Sequence, residues 1–232
     1  MSKEKNITII PARGGSKRIP RKNIKDFLGK PIIAYSIEAA LQSELFNEVM
    51  VSTDNEEIAE VAKKYGAKIP FMRSKKNADD FATTADVLIE VLTEYKKHNR
   101  DFEYMCCIYP TAPFVTDQKL IDSFNLMIEK GADSVIPVVK FSYPIQRAFR
   151  INDKNQLEYI WPENINKRSQ DLEPFYHDAG QFYWYKVDSF LSKKSLDELV
   201  KIPFILKETE VQDIDNEEDW KIAKLKYGTD NT

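Results

Sequence analysis

Residues 7–23 read ITIIPARGGSKRIPRKN, from Ile7 to Asn23. Ile7 to Ile10 is a short, β-branched, apolar segment, the signature of a buried strand rather than a helix. Pro11 ends it. Gly14 and Gly15 then permit a close backbone approach that side chains would forbid, as a loop around phosphate oxygens requires. Arg13, Lys17, Arg18, Arg21 and Lys22 add five cations to the same turn. A cationic run is often only a solvated loop. Directly after a first buried strand, however, it falls at the carboxyl edge of an α/β sheet, where ligands bind. The spacing matches neither the P-loop nor the dinucleotide fingerprint.

Downstream, strands and helices alternate. Ile33, Ile37, Ala40 and Leu41 mark a first helix, and Val49 to Ser52 a second strand. Asp54 with Glu57 has the spacing of a capping box for a helix through Ile58, Val61, Ala62 and Tyr65. Lys68 to Met72 is expected as a third strand. The polar loop RSKKNADDFATT (73–84) follows, and then a helix lined by Val87, Leu88, Val91, Leu92 and Tyr95, with Thr83 or Thr84 as its cap or as a ligand contact. Tyr104 to Tyr109 is the longest apolar run and is expected as a central strand, turned out by Pro110-Thr111-Ala112-Pro113. A helix through Leu120, Phe124 and Ile128 and a strand from Ser134 to Val139 continue the rhythm. This alternation predicts a mainly parallel, doubly wound (Rossmann-like) α/β sheet flanked by helices.

From 141 to 176 the rhythm lapses into an aromatic, polar segment that suits an excursion covering a site or meeting a partner. Strands return at Gln181 to Val187 and Ile202 to Leu206, and a last helix carries Trp220, Ala223 and Tyr227.

The chain has 232 residues, enough for one large domain, and its net charge of -3 argues against general affinity for nucleic acid. No apolar run reaches transmembrane length, and MSKEKN leads into the first strand without a signal-peptide core, so a cytoplasmic protein is expected. Cys106 and Cys107 are adjacent in a strand and point to opposite faces, which suits core residues.

Two further spots carry chemistry. Asp213 and Asp215 alternate in an extended segment and so face one side, offering two hard oxygen ligands for Mg²⁺ beside a phosphate. Asp215 also has a capping-box partner in Glu218. In FYHDAGQ (175–181), His177 stands beside Asp178 and a glycine at the mouth of a strand; a substrate hydrogen bond, acid catalysis or metal ligation are all open to it. A cationic loop, a carboxylate pair and an α/β sheet together point to nucleotidyl transfer, in which a hydroxyl attacks the α-phosphate of a nucleoside triphosphate and pyrophosphate leaves. A non-catalytic RNA-binding module would use the same cations but would need a basic face the sequence lacks.

IPARGGSKRIPRKN, with VSTD (51–54), YPTAPF (109–114) and DID (213–215), resembles the cytidylyltransferases that activate nonulosonic (sialic-type) acids as CMP derivatives, over about 7–227. YHDAGQFYW (176–184) is more similar to the pseudaminic acid branch than to the N-acetylneuraminate branch. The resemblance implies one nucleotidyltransferase domain over 1–232, with CTP and an acidic nine-carbon sugar as substrates. The product would be CMP-pseudaminate for surface-glycan or flagellin glycosylation; N-acetylneuraminate, legionaminate or a 3-deoxy-octulosonate are the alternatives.

Arg13 and Lys17 would contact the triphosphate, with Lys22 close by. Ala12, Asn23, Arg73, Ala82 and Thr84 would recognise cytidine. Asp213 and Asp215 would bind Mg²⁺, and Asp215 would help deprotonate the anomeric hydroxyl. Tyr109, Arg168, His177, Asp178 and Gln181 would face the sugar, and a homodimer would form through 141–176.

Overall fold

The computed structural model describes residues 4–193 and 198–230. Its centre is one seven-stranded sheet. The strands, in chain order, are β1 (Glu4–Pro11), β2 (Asp26–Phe27), β3 (Lys30–Pro31), β4 (Glu48–Ser52), β5 (Phe102–Ile108), β6 (Ser134–Lys140), β7 (Phe149–Ile151), β8 (Leu157–Tyr159), β9 (Tyr176–Asp178), β10 (Phe182–Lys186) and β11 (Lys201–Leu206). The main sheet runs β11-β6-β10-β5-β1-β4, with β9 also on β6, while β2-β3 and β7-β8 are separate small pairs.

The expected α/β architecture is present, with helices on both faces. α1 (Ile32–Gln42), α2 (Glu56–Lys64) and α4 (Asp117–Lys130) cover one face, where Ile10, Ile33, Ile37, Ile58 and Leu120 pack together. α3 (Thr84–Lys97) and α5 (Val187–Ser192) cover the other, through Ile7, Ile9, Leu88, Val91 and Phe190. The period-2 alternation of β1 makes this possible, sending Ile9 one way and Ile10 the other. Cys106 and Cys107 divide in the same way, both buried, and burial pushes the Cys107 thiol up to about 12. α6 (Glu217–Asp230) packs Trp220 edge-on against Phe27, with ring centroids 5.6 Å apart, and closes the region beneath the first loop.

β1 pairs in parallel with both β4 and β5, so the chain reverses its winding at β1. The crevice between the carboxyl ends of β1 and β5 is therefore the topological switch point at which open α/β sheets bind ligands.

One departure from parallel order matters for the site. β10 runs antiparallel to both neighbours, β5 and β6. Residues 141–176 leave β6 and return to the same edge, where Phe141 N donates to Phe175 O (2.9 Å), without a crossover helix. The chain must then run back along β6, first as β9 and then as β10, with a break at Ala179-Gly180-Gln181. Gly180 takes φ +63°, a left-handed conformation that favours glycine. This reversal brings His177 and Asp178 to the carboxyl edge of the sheet.

The expected strand at Lys68–Met72 is not formed. Only Lys68 bridges to Met50, because Pro70 has no N–H to continue the ladder and the chain departs.

Candidate active site

The first loop is shaped by its neighbours. Ala12 is buried and its N–H donates to Ser52 O (2.9 Å), continuing the β1–β4 ladder by one step. Asn23 is buried too, and its Nδ2 donates to Arg13 O at 2.9 Å, folding the loop back on itself. Gly14 N donates to Asp54 Oδ1 at 2.9 Å. A Cβ on Gly14 would lie 3.0 Å from that of Asn55, so this close approach favours glycine. Asp54 therefore does not cap α2. Asn55 does, accepting from Ile58 N at 3.1 Å, because one residue's shift places its side chain over the helix start.

Arg13, Lys17, Arg18 and Lys22 line a cleft of about 480 Å³ with residues from 73–84 and the end of β5, whereas Arg21 turns away to pair with Glu57. Arg13 Nη1 donates to Asp80 Oδ1 (2.7 Å) and to Asp79 O (3.1 Å), while Lys17 pairs with the other oxygen of Asp80. Lys17 and then Arg13 hold the Asp80 carboxyl below its usual range. Lys22 Nζ donates to Ile214 O at 2.6 Å. Burial pulls the Lys22 ammonium down, opposed by Asp215 and Asp213.

At the opposite wall, Arg73 is buried and its Nε donates to Ser52 Oγ at 3.0 Å, fixing the guanidinium behind β4; burial lowers its pKa. Thr83 caps α3 in a capping box with Asp86. That frees Thr84, whose Oγ1 lies 3.4 Å from the Tyr109 hydroxyl. Ala82, Thr84 and Tyr109 all line the cleft.

Asp213 and Asp215 stand in a segment that pairs with no strand among the described residues. Asp215 is not the cap of α6. Asn216 Oδ1 accepts from Glu218 N (2.8 Å) and Asp219 N (3.0 Å), and Asp219 Oδ2 accepts from Asp215 N (2.9 Å). The Asp215 carboxylate instead meets Arg18 Nη2 at 2.7 Å. Asp213 lies against Gly180, and its carboxyl is pushed up by surrounding protein atoms and then by Asp215. The two acids thus repel one another across Lys22, an arrangement that gains from a cation. Among the described residues no third acid, histidine or cysteine joins them as a cluster. Two carboxylates fit an ion such as Mg²⁺, which keeps waters and takes phosphate oxygens.

Beyond Asp213 opens a second cleft of about 310 Å³, lined by His177, Asp178, Ala179, Val211 and Lys226. Asp178 Oδ1 accepts from Tyr183 OH and from Gly180 N, each at 2.7 Å, and is held rigid by both. Gln181 is buried behind the break, donating from Nε2 to Glu210 O at 2.8 Å while its Oε1 has no hydrogen-bond partner among the described residues. Arg168 is apart from this group. It sits exposed in the excursion, bidentate on Asp171 at 2.7 and 3.0 Å, and lines neither cleft.

Three participants escape a reading of the sequence. Ser52 looks like any strand residue, Asp80 is one acid in a polar loop, and Arg18 is one cation among five. Only their ion pairs and hydrogen bonds single them out.

A cationic loop and a carboxylate pair gathered at the switch point of this sheet define an α/β nucleotidyltransferase. The chain belongs to the cytidylyltransferase family, whose model matches residues 7–225. It is 44% identical over 96% of both chains to a pseudaminic acid cytidylyltransferase of Campylobacter jejuni. It is 32% identical to a CMP-N,N'-diacetyllegionaminic acid synthase of Legionella pneumophila, over 94% of each. Among solved structures, CMP:2-keto-3-deoxy-manno-octonic acid synthetase complexed with CTP has the same fold, with a TM-score of 0.71 at 18% identity, covering 98% of this chain and 100% of that one.

Proposed function

We propose that this protein transfers CMP from CTP to pseudaminic acid, forming CMP-pseudaminate and releasing pyrophosphate. The observation that carries the reading is the 44% identity over nearly the full length to a pseudaminic acid cytidylyltransferase, together with a cleft that places Arg13 and Lys17 opposite Arg73 and Thr84. Arg13, Lys17 and Lys22 bind the phosphates, and the cations stabilise charge that builds on the leaving pyrophosphate. Ala12, Asn23, Arg73, Ala82 and Thr84 hold the cytidine. Asp213 and Asp215 hold Mg²⁺, which when bound neutralises phosphate charge.

The sugar reaches from Tyr109 in the first cleft towards His177 and Asp178 in the second, with Gln181 behind them. There its anomeric hydroxyl attacks the α-phosphorus. The new P–O bond forms as the bond to pyrophosphate breaks, and Asp215 helps to take the hydroxyl proton.

Exposed apolar side chains on the excursion, among them Ile151 and Leu157, both 68% exposed, support a homodimer through 141–176. Such a dimer would explain why Arg168 lies away from its own clefts, since it would serve the neighbouring copy. No helix among the described residues is long and apolar enough to cross a membrane, and cytoplasmic CTP suits a cytoplasmic enzyme. The test is pyrophosphate release with CTP, Mg²⁺ and purified pseudaminic acid. Turnover supports the reading, and turnover of N-acetylneuraminate but not pseudaminate would overturn the substrate assignment.

A further inference from the structure

Asp80 answers two of the loop's cations at once. Its Oδ1 takes Arg13 Nη1 at 2.7 Å and its Oδ2 takes Lys17, so one carboxylate spans both cations as two oxygens of a phosphate would. The contact is built rather than casual. Asp79 Oδ1 accepts from Phe81 N (2.9 Å) and Ala82 N (2.8 Å), which forms the turn that presents Asp80. The Thr83–Asp86 capping box fixes its far side. The turn is also cheap to displace. Phe81 is 91% exposed and Asp80 itself is exposed, so withdrawing the carboxylate uncovers no core.

We propose that Asp80 is an internal counter-anion that competes with the polyphosphate for Arg13 and Lys17. The inference rests on the reading that these two cations hold phosphate. In the resting protein the carboxylate closes the cations to stray inorganic anions. Once the α-phosphorus bond has broken, pyrophosphate must hold the cations against a tethered rival, and Asp80 takes them back as it leaves. A bound anion's apparent affinity falls by the fraction of molecules in which its site is already taken.

The direct test compares the full-length parent with Asp80→Asn by calorimetric titration with inorganic pyrophosphate, and with cytidine, which carries no phosphate. Two exposed charge pairs predict that Asp80→Asn binds pyrophosphate about threefold to tenfold more tightly. Cytidine affinity should not change, and Asp80→Glu should return pyrophosphate binding towards the parent's. Pyrophosphate binding that is unchanged or weaker in Asp80→Asn would overturn the proposal. Weaker cytidine binding alongside it would show that Asp80 only shapes the loop. If neither protein binds pyrophosphate, the phosphate reading of Arg13 and Lys17 falls as well. Tighter pyrophosphate binding in a protein that turns over no acidic sugar would uphold Asp80's role and remove the proposed substrate.

Discussion

Arg18 Nη2 lies 2.7 Å from Asp215 Oδ1, so a cation of the first loop rests on a carboxylate from near the other end of the chain. Both groups are well exposed, and such a pair is worth at most about 1 kcal/mol. A divalent cation arriving at Asp215 must compete with it. Arg18→Ala is therefore expected to lower the Mg²⁺ concentration for half-maximal turnover by about twofold to fivefold. A Mg²⁺ titration of initial rate checks this, and a higher requirement would mean that Arg18 assists rather than competes.

Asp213 carries the opposite strain. Its carboxyl is raised by surrounding protein atoms and by Asp215, so in the window between its ordinary and raised values the folded protein keeps a proton that the unfolded chain has lost. Stability contributed by this group therefore falls as pH rises through that window and stays lower above it. Asp213→Asn should cut turnover by more than about 100-fold. In chelator at neutral pH it should nevertheless melt no lower than the parent, the difference vanishing in acid. Thermal melts at two pH values test the sign, and a lower Tm at neutral pH would give Asp213 a structural role.

Arg13 reaches the cleft from a loop that Asp54 ties down through Gly14 N. Arg13→Ala should lose about 2 to 4 kcal/mol of transition-state stabilisation. Asp54→Ala should chiefly raise KM for CTP, since it frees the loop without removing a cation. Steady-state kinetics separates the two, and equal loss of kcat in both variants would contradict the division.

If Arg168 serves the neighbouring copy, Arg168→Ala and Asp215→Asn should each be inactive, yet mixing and reassociating them should restore activity. Each mixed dimer would hold one site with both residues intact. A mixture as inactive as its components would return Arg168 to a local role on Asp171, where it now pairs.

Much of this is legible in the amino-acid sequence. The β-branched run at Ile7–Ile10, the proline after it and the helical spacing of Ile33, Ile37 and Ala40 reflect local physics, and the structure realises them as β1 and α1. Lys68–Met72 misled because apolar content says nothing of a ladder that Pro70 interrupts. The antiparallel course of β10 was hidden because a return along the same strand depends on where the 141–176 excursion re-enters, a tertiary fact. Asp54 and Asp215 both had capping spacings, yet Asn55 and Asn216 took those places one residue later. Spacing alone does not resolve which of two adjacent side chains turns towards the helix.

One measurement asks directly whether the cleft between β1 and β5 joins CMP to pseudaminic acid. Purified protein should be incubated with CTP, Mg²⁺ and, in parallel, pseudaminate, legionaminate, N-acetylneuraminate and a 3-deoxy-octulosonate while pyrophosphate release is followed. The highest kcat/KM is expected with pseudaminate, and turnover of another acid with none of pseudaminate would rule out pseudaminate as the substrate.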